Sequence, residues 1–325
     1  MKVLVTGGAG YIGSVVTEYL LDRGHEVTVA DNFSTGHREA VDRRCRLVEM
    51  NLLDWDSVRE VLSPGIEAVL HFAAFSLVSE SMTDPLKYYR NNICGAVNLI
   101  EGMRDSGTEF IVFSSTAAVY GEPEEIPITE DAVLSPVNPY GNTKLAIEKL
   151  LQDSIPAYDI KSISLRYFNA AGATSLHGED HRPESHLIPI ILDAVEGGRD
   201  ELTVYGDDYD TEDGTCIRDY IHVRDLATAH LLALEKLAGG VTGTFNLGGG
   251  EGFSVLEVIE AVSEVTGKEV PYSIGNRREG DPAVLVASSG KAEEILGWER
   301  SYSDLESIIR DAHQWRMKFP GGYRE

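Results

Sequence analysis

The sequence is poor in cysteine and contains no long hydrophobic run. Its three cysteines, Cys45, Cys94 and Cys216, lie far apart in 325 residues and match no CxxC pattern. This argues against a disulfide framework or a cysteine zinc site and favours buried free thiols. No apolar stretch reaches the roughly 18–20 residues of a membrane span, so we expect no membrane insertion. The first residues read as a strand rather than as a signal peptide, and the expected location is the cytoplasm.

Basic residues are also scarce. The chain has 28 Lys and Arg against 53 Asp and Glu, a formal net charge of −25. Because so acidic a surface repels phosphate backbones, general nucleic-acid binding is not expected. A small anionic ligand would need positive charge placed locally in its site. The 42% of hydrophobic residues is ordinary, and at this length it suffices for a large core and about two structural units.

The first half of the chain alternates short apolar, β-branched runs with longer segments that are compatible with helices. The predicted strands are 2–6, 26–30, 46–50, 68–72, 110–114 and 161–167, and the helices between them are 11–23, 55–62, 85–104 and 139–152. The strand runs are continuously hydrophobic, as in a parallel sheet buried on both faces. This order predicts an α/β fold with a doubly wound parallel Rossmann sheet.

After about residue 169 this rhythm gives way to loops rich in Gly, Pro and acidic residues. Helices are predicted near 187–197, 223–237 and 255–266, and one more strand at 243–247. The simplest account is a second, smaller α/β domain that is interleaved with the first and serves the substrate.

A glycine-rich loop separates the first predicted strand from the first helix. The stretch TGGAGYIG at 6–13 satisfies GxGxxG and GxxGxxG together. Glycines allow the backbone to approach a pyrophosphate, and the helix N-terminus offers it free N–H groups and a partial positive charge. Asp31 ends the second strand, where a carboxylate can bind a ribose 2′-hydroxyl and repel a 2′-phosphate. The loop therefore predicts an NAD site rather than an NADP site.

A hydroxyl group and a Tyr–Lys pair form the predicted catalytic set. Thr116 belongs to the stretch SSTAAVYG that follows the fifth strand, where open α/β sheets bind their ligands. Tyr140 and Lys144 are four residues apart at the start of a predicted helix and therefore share one face. Lys144 can stabilise a tyrosinate and so lower the pKa of Tyr140 toward that of a working general base.

These motifs resemble the extended short-chain dehydrogenase/reductases, most closely the UDP-glucose 4-epimerase family, and the match runs nearly end to end. The matching stretches are TGGAGYIGS at 6–14, DN at 31–32, HFAA at 71–74, YYRNN at 88–92, SSTAAVYG at 114–121, NPYGNTK at 138–144, RYFNAAGA at 166–173, YDTEDGTCIRDYIHVRDLA at 209–227 and RREGDPA at 277–283. The resemblance implies that a UDP-sugar is oxidised at C4 by bound NAD, turned as a 4-keto sugar, and reduced on its other face. Tyr140, aided by Thr116, would take the proton from the 4-hydroxyl, and Lys144 would also hold the nicotinamide ribose.

The resemblance also assigns the contacts of both ligands. The expected NAD contacts are Gly7, Gly10, Tyr11, Ile12, Gly13, Asp31, Asn32, Asn51, Leu52, Phe72, Ala73, Ala74, Asn91, Ser114, Tyr140, Lys144 and Tyr167. The expected UDP-sugar contacts are Thr116, Asn169, His186, Leu187, Tyr205, Arg218, Tyr220, Arg278 and Asp281. Guanidinium groups suit the phosphates because their planar donors match phosphate oxygens.

Domain boundaries and assembly follow from the same resemblance. The NAD-binding Rossmann domain is expected at 1–168 with about 217–250 interleaved, and the nucleotide-sugar-binding domain at 169–216 and 251–325. Family members commonly form homodimers through helices equivalent to 85–104 and 139–152, so a homodimer is expected.

Other enzymes of the same fold remain as alternatives. Nucleotide-sugar dehydratases usually carry an Asp-Glu pair after the catalytic Ser or Thr, and UDP-glucuronate decarboxylases tend to carry a Glu there. This chain has Ala117 and Ala118, neither of which can move a proton. A non-catalytic NAD sensor would have no reason to keep the catalytic set together. Leu285 stands roughly where the family has a bulky Tyr in the sugar pocket, which leaves UDP-N-acetylhexosamines open as substrates.

Two further stretches resemble metal sites but depart from the known patterns, and no metal is expected. The acidic stretch 208–214 resembles a calcium loop, yet its glycine falls one position late and Asp219 rather than Glu would close it. His177, His181 and His186 lie in a loop without an HExxH pattern.

Overall fold

The computed structural model describes residues 1–63, 65–278 and 281–323, and within these ranges the chain forms thirteen strands and ten α-helices. The strands are β1 (Lys2–Thr6), β2 (Glu26–Asp31), β3 (Arg46–Glu49), β4 (Ala68–His71), β5 (Phe110–Ser114), β6 (Lys161–Tyr167), β7 (Asn169–Ala171), β8 (Leu202–Tyr205), β9 (Ile217–His222), β10 (Gly243–Leu247), β11 (Gly252–Ser254), β12 (Tyr272–Gly275) and β13 (Val284–Leu285). The helices are α1 (Tyr11–Asp22), α2 (Trp55–Leu62), α3 (Val78–Thr83), α4 (Pro85–Tyr88), α5 (Gly95–Ser106), α6 (Pro139–Tyr158), α7 (Leu187–Glu196), α8 (Val223–Ala238), α9 (Val255–Thr266) and α10 (Leu305–Lys318).

Seven strands form one parallel sheet in the order β10-β6-β5-β4-β1-β2-β3. The chain winds outward from β1 to β3, then crosses to the other side of β1 and continues from β4 to β6. The topological switch point therefore lies between β1 and β4, where such sheets bind ligands at their carboxyl edge. Val3, Leu4 and Val5 of β1 are fully buried, as a strand covered on both faces requires. The predicted doubly wound Rossmann sheet is confirmed.

Helices cover both faces of this sheet. Helices α1 and α8 pack together on one face, where Val15, Leu20 and Leu234 enter a shared core. Helices α2, α5 and α6 supply the core of the other face, which includes Leu99 and Leu151. None of the helices in the described ranges is long and apolar enough to cross a membrane.

A second group of short strands forms after β6. Strand β9 pairs with β7, β11 and β13, while β8 and β12 form a two-stranded parallel sheet. Helices α7, α9 and α10 close this smaller α/β layer over a core that contains Ile191, Val258 and Ile308. Strand β10 returns to the central sheet beside β6, so the two halves of the fold are interleaved.

Two predicted helices differ from the structure. Helix α6 continues from residue 152 to Tyr158 and ends where Asp159 adopts a left-handed conformation with φ of 56°. The predicted helix 85–104 is continuous but contains a π-helical turn at Tyr89–Cys94 between α4 and α5. In this turn Asn92 is buried and binds the backbone of Phe75 and the hydroxyl of Thr143, which fixes the neighbouring Asn91 at the edge of a cleft.

Candidate active site

A cleft of about 660 Å³ opens at the carboxyl edge of the central sheet. Its wall is built from the ends of β1 to β6 and from the first turns of α1 and α6, as the switch point predicts. The residues predicted to contact the cofactor all line it: Gly7, Gly10, Tyr11, Ile12, Gly13, Asp31, Asn32, Asn51, Leu52, Phe72, Ala73, Ala74, Asn91, Ser114, Tyr140, Lys144 and Tyr167. Three of the residues predicted to contact the substrate, Thr116, Asn169 and His186, line the same cleft.

The glycine loop is tightly folded. Gly7 has φ of +74°, and a Cβ atom added there would lie 2.6 Å from the backbone nitrogen of Ala73. A Cβ at Gly13 would overlap the carbonyl oxygen of Gly7. Glycine is therefore required at both positions, and the N-terminus of α1 faces the cleft without a capping side chain among the described residues. Uncapped backbone N–H groups at a helix N-terminus suit a pyrophosphate.

Asp31 is anchored beside this loop. One carboxylate oxygen accepts a hydrogen bond from the backbone of Ala9 at 3.0 Å and the other from Phe33 at 2.9 Å. Burial raises the pKa of Asp31, which these backbone donors oppose. The carboxylate stands at the end of β2, where it fits an adenosine ribose better than a phosphate group. The loop and this carboxylate together fit NAD.

The three predicted catalytic side chains converge in the cleft. Asn138 caps α6 by accepting a hydrogen bond from Gly141 at 2.8 Å, which sets Tyr140 in the first turn of the helix. The Thr116 hydroxyl interacts with the Tyr140 phenol and acts to lower its pKa. Lys144 donates from Nζ to the carbonyl of Ser114 at 2.7 Å, and its Nζ lies 5.8 Å from the centre of the Tyr140 ring.

Burial controls the ionisation of this set. It raises the pKa of Tyr140 to about 12, against the opposing effect of the Thr116 hydrogen bond. It lowers the pKa of Lys144 to about 7, against the opposing charge of Glu148. We expected Lys144 to lower the pKa of Tyr140, and in this structure burial outweighs that effect. The reason is that burial dominates the pKa of the Tyr140 phenol, while Lys144 directs its ammonium group at the Ser114 carbonyl.

A buried polar network that sequence reasoning missed lies behind the catalytic set. Glu148 is one helical turn after Lys144 and forms an ion pair with Arg166 at 2.6 Å, both side chains being almost fully buried. Ser115 donates to Glu148, and Tyr120 accepts from Arg166 at 2.9 Å. The network ties the loop after β5 to α6 and β6. The sequence signals for this network were Glu148 on the apolar face of α6 and Arg166 within the mainly apolar strand β6.

A second set of predicted substrate residues lies on the smaller layer. Arg218 on β9 forms an ion pair with Asp281, whose backbone N–H donates to the carbonyl of Arg278 at 3.3 Å. The guanidinium of Arg278 lies 4.1 Å above the ring centre of Tyr205. The structure thus links these four residues by direct contacts, outside the lining of the cleft.

The remaining predicted substrate residues are divided between the two regions. Asn169 on β7 stands opposite Tyr220 on β9, and its amide donates to the backbone of Asp219 at 3.1 Å. Tyr220 is buried in the core of the smaller layer, and burial raises its pKa. His186 directly precedes α7 and lines the cleft, while Leu187 packs against that core.

Comparisons with known proteins agree with this architecture. Residues 3–248 match the model of the NAD dependent epimerase/dehydratase family. The chain is 50% identical over 327 residues to a UDP-glucose 4-epimerase of Lacticaseibacillus casei, with 99% of each chain covered. It is similar to a crystal structure of a UDP-glucose 4-epimerase with a TM-score of 0.98, 49% identity and complete coverage of both chains. It is also similar to the UDP-glucose 4-epimerase of Brucella ovis in complex with NAD, with a TM-score of 0.93, 47% identity and coverage of 96% and 97%.

Proposed function

The chain belongs to the NAD-dependent epimerase/dehydratase family, and we propose that it interconverts UDP-galactose and UDP-glucose by inverting the sugar at C4. The observation that carries this proposal is the convergence of Thr116, Tyr140 and Lys144 in the cleft that also holds the glycine loop. A binding protein would not need a buried phenol, a hydroxyl and an ammonium group at one point. Ala117 and Ala118 follow Thr116, and their methyl side chains can neither donate nor accept a proton. This disfavours an elimination or a decarboxylation, which would need an acid or base there.

The cofactor is NAD, held by the residues of the cleft. The N-terminus of α1 binds the pyrophosphate, Asp31 binds the adenosine ribose, and Lys144 binds the nicotinamide ribose. When bound, NAD supplies reversible hydride transfer at C4 of the sugar. The protein supplies orientation, a general base and the exclusion of water from the reacting atoms.

Tyr140 is the general base of the proposed reaction. In its ionised form, the phenolate oxygen would take the proton of the sugar 4-hydroxyl during oxidation, and the resulting phenol would return it during reduction. The hydrogen bond from Thr116 holds the phenol in place and favours its ionised form. Lys144, whose Nζ lies 5.8 Å from the Tyr140 ring centre, would favour the tyrosinate only in its protonated form.

The smaller layer holds the nucleotide in this proposal. Arg218 and Arg278 supply positive charge for the diphosphate, while Asp281 keeps Arg218 in position through their ion pair. Asn169 lies at the boundary between the cleft and this layer, close to where the diphosphate meets the sugar. The nucleotide end would thereby be fixed while the sugar remains free to present either face.

The test is to incubate the purified protein with UDP-galactose without added cofactor. We expect UDP-glucose to form while a fraction of bound nicotinamide becomes transiently reduced, as seen in its absorbance. Protein that carries NAD but yields no UDP-glucose and no reduced nicotinamide would refute the proposal.

UDP-N-acetylhexosamines are a second candidate substrate class, favoured by Leu285. This side chain is half-buried and packs against the apolar cluster that contains Val119 and Tyr120, which lie three and four residues after Thr116. Its neighbour across the strands is Arg218. We expect Leu285→Tyr to slow turnover of UDP-N-acetylgalactosamine more than tenfold while UDP-galactose turnover changes severalfold at most. Parallel rate measurements on the two substrates decide the point.

We propose that the protein is a homodimer through the helical segment 85–106 and α6. Leu86 is 74% exposed, and Tyr89 and Val97 are also exposed on this segment, which leaves a large apolar area facing solvent. Light scattering on the eluting protein should give about twice the 35.6 kDa chain mass. Leu86→Glu should shift it to the monomer mass, whereas Val133→Glu, a substitution at another exposed apolar residue, should not.

A further inference from the structure

Four potential metal ligands meet at one rim of the cleft, in the segment that leads into α7. One oxygen of Glu179 lies 3.1 Å from Nδ1 of His181 and 2.7 Å from Nδ1 of His186. The oxygens of Glu184 lie 3.2 Å from Nδ1 of His186 and 3.8 Å from Nδ1 of His181. One ligand atom from each of the four side chains lies within 4.8 Å of all the others.

We propose that Glu179, His181, Glu184 and His186 form a binding site for a zinc ion or a similar divalent transition metal. Two imidazole nitrogens and two carboxylate oxygens are a donor set that zinc accepts. Zinc–ligand distances of about 2.0–2.1 Å place the corners of a tetrahedron roughly 3.3 Å apart. The four measured separations run from 2.7 to 3.8 Å, and no two of the chosen ligand atoms are more than 4.8 Å apart, so binding an ion would draw the side chains closer together.

The charge balance of the cluster supports a cation. Glu179 is almost fully buried, and the structure gives it no Lys or Arg partner within the described ranges. Its nearest basic groups among the described residues are the two imidazoles, at 3.1 Å and 2.7 Å from one oxygen. The buried carboxylate therefore faces both imidazole nitrogens at one point. Both Nδ1 atoms point to the same oxygen, so a metal ion can take the place of the protons between them.

The location gives the ion a role. His181 lies edge-on to the Tyr11 ring with 6.4 Å between ring centres, and the Tyr11 hydroxyl donates to the Gly172 carbonyl at 2.6 Å. Glu179, His181 and His186 line the cleft together with the glycine loop. A bound ion would therefore fix the 174–187 segment against the phosphate end of the cleft. It would also add positive charge there, which favours retention of an anionic cofactor.

The experiment uses tag-free protein that has been stripped with a chelator, dialysed and titrated with Zn²⁺ alone. We expect saturable binding of one ion per chain and a higher thermal unfolding midpoint with zinc. Co²⁺ in place of zinc should give the intense visible absorption of a four-coordinate site. His181→Asn and Glu184→Gln should each weaken zinc binding by about a hundredfold and abolish the thermal shift.

The controls separate loss of a ligand from loss of structure. His313 lies 3.6 Å from Glu196 in an unrelated His–Glu pair, and His313→Asn should leave zinc binding unchanged. The stripped ligand variants should melt close to the stripped parent protein. Absence of stoichiometric zinc binding by the parent protein, or zinc binding by both ligand variants as tight as that of the parent, would overturn the proposal. Neither readout depends on epimerase activity, so the two proposals fail separately.

Discussion

Tyr140 carries the proposed chemistry under conditions that oppose its own ionisation. Burial raises its pKa to about 12, and only the Thr116 hydrogen bond acts in the other direction. Lys144 does not relieve this while its own pKa is near 7 and its ammonium group binds the Ser114 carbonyl. A lone phenol would therefore remain protonated near neutral pH. General-base action has to come from the assembled set of hydroxyl, ammonium and bound ligands.

The first prediction follows from that role. Tyr140→Phe removes the acidic hydroxyl and should lower the rate of UDP-galactose epimerisation by about 10³-fold or more, since general-base catalysis contributes about 10²–10⁴. NAD content of the purified variant should be unchanged, because the ring remains and the glycine loop is untouched. Tyr158→Phe serves as a control at an exposed tyrosine of the same helix and should keep full activity. Near-normal turnover of Tyr140→Phe would remove Tyr140 from the mechanism.

The second prediction concerns the ion pair behind the site. Glu148→Gln leaves the Arg166 guanidinium buried without its counter-charge, and breaking one partner of such a pair costs about 3–5 kcal/mol of unfolding free energy. Glu101→Gln removes a carboxylate that faces Arg104 at 3.4 Å on the surface, and it should cost about 0–1 kcal/mol. Urea unfolding of both variants gives the comparison. Equal losses would mean that the buried network does not support the fold.

The glycine loop illustrates how a single element constrains the cofactor site. Gly13 is in the first turn of α1, and an added Cβ would overlap the Gly7 carbonyl oxygen. The third prediction is that Gly13→Ala displaces the loop and lowers NAD content at least tenfold, with a matching loss of activity. Gly290→Ala is the matched control, because the nearest atom to an added Cβ there is 4.0 Å away. Extraction and quantification of bound nucleotide from both variants tests this, and full NAD content in Gly13→Ala would contradict it.

Several strands of the central sheet were predictable because they contain runs of apolar and β-branched residues, such as VLV in β1, AVL in β4 and FIVF in β5. The ranges 2–6, 110–114 and 161–167 agree with β1, β5 and β6 residue for residue. After residue 168, β10 was predicted at 243–247, whereas the other strands were missed. Strand β13 has two residues, and β12 pairs with β8 from a distant part of the chain, so their formation depends on tertiary contacts rather than on local pattern.

The candidate site also has a part that could be predicted from the sequence and a part that could not. Its cofactor half consists of local motifs at strand ends, and the structure brings those predicted residues into one cleft. The Glu148–Arg166 pair and the metal-ligand cluster depend on which side chains face each other after folding. The histidines at 181 and 186 were noticed in the sequence, but no HExxH pattern accompanied them. Only the folded segment shows that Glu179 and Glu184 face the same point.

The net charge of −25 describes the solvent-facing surface of the whole molecule rather than its ligand site. It weighs against nucleic acid as a partner, yet both proposed ligands are anions. Cationic side chains stand where these ligands would bind: Lys144 in the cleft, and Arg218 and Arg278 on the smaller layer. A strongly acidic protein can therefore bind diphosphates with a few local charges and helix N-termini.

The last prediction concerns acid stability and rests on two histidines buried beside the cleft. Thr6 shares a hydrogen bond of 2.7 Å with His71. Burial, and to a lesser extent the charge of Lys144, lowers the pKa of His71 to about 3. Burial also lowers the pKa of His230 to about 4, against its hydrogen bond with the Leu226 carbonyl. In the unfolded chain both would titrate near 6.5. Between about pH 6.5 and pH 4 the unfolded state therefore binds protons that the folded state does not. The free energy of unfolding consequently decreases as the pH is lowered through this range.

Each of these histidines should lower the unfolding free energy by about 2 kcal/mol between pH 7.5 and pH 5, so together they contribute about 4 kcal/mol. Urea unfolding at pH 7.5, 6.0 and 5.0 measures the total change, to which carboxylates also contribute. His230→Gln isolates one histidine: it keeps a donor for the Leu226 carbonyl but cannot bind a proton. The variant should lose less stability than the parent protein over this pH range, by about 2 kcal/mol. An unchanged pH dependence would mean that His230 is protonated in the folded state, and its burial would then not control its pKa.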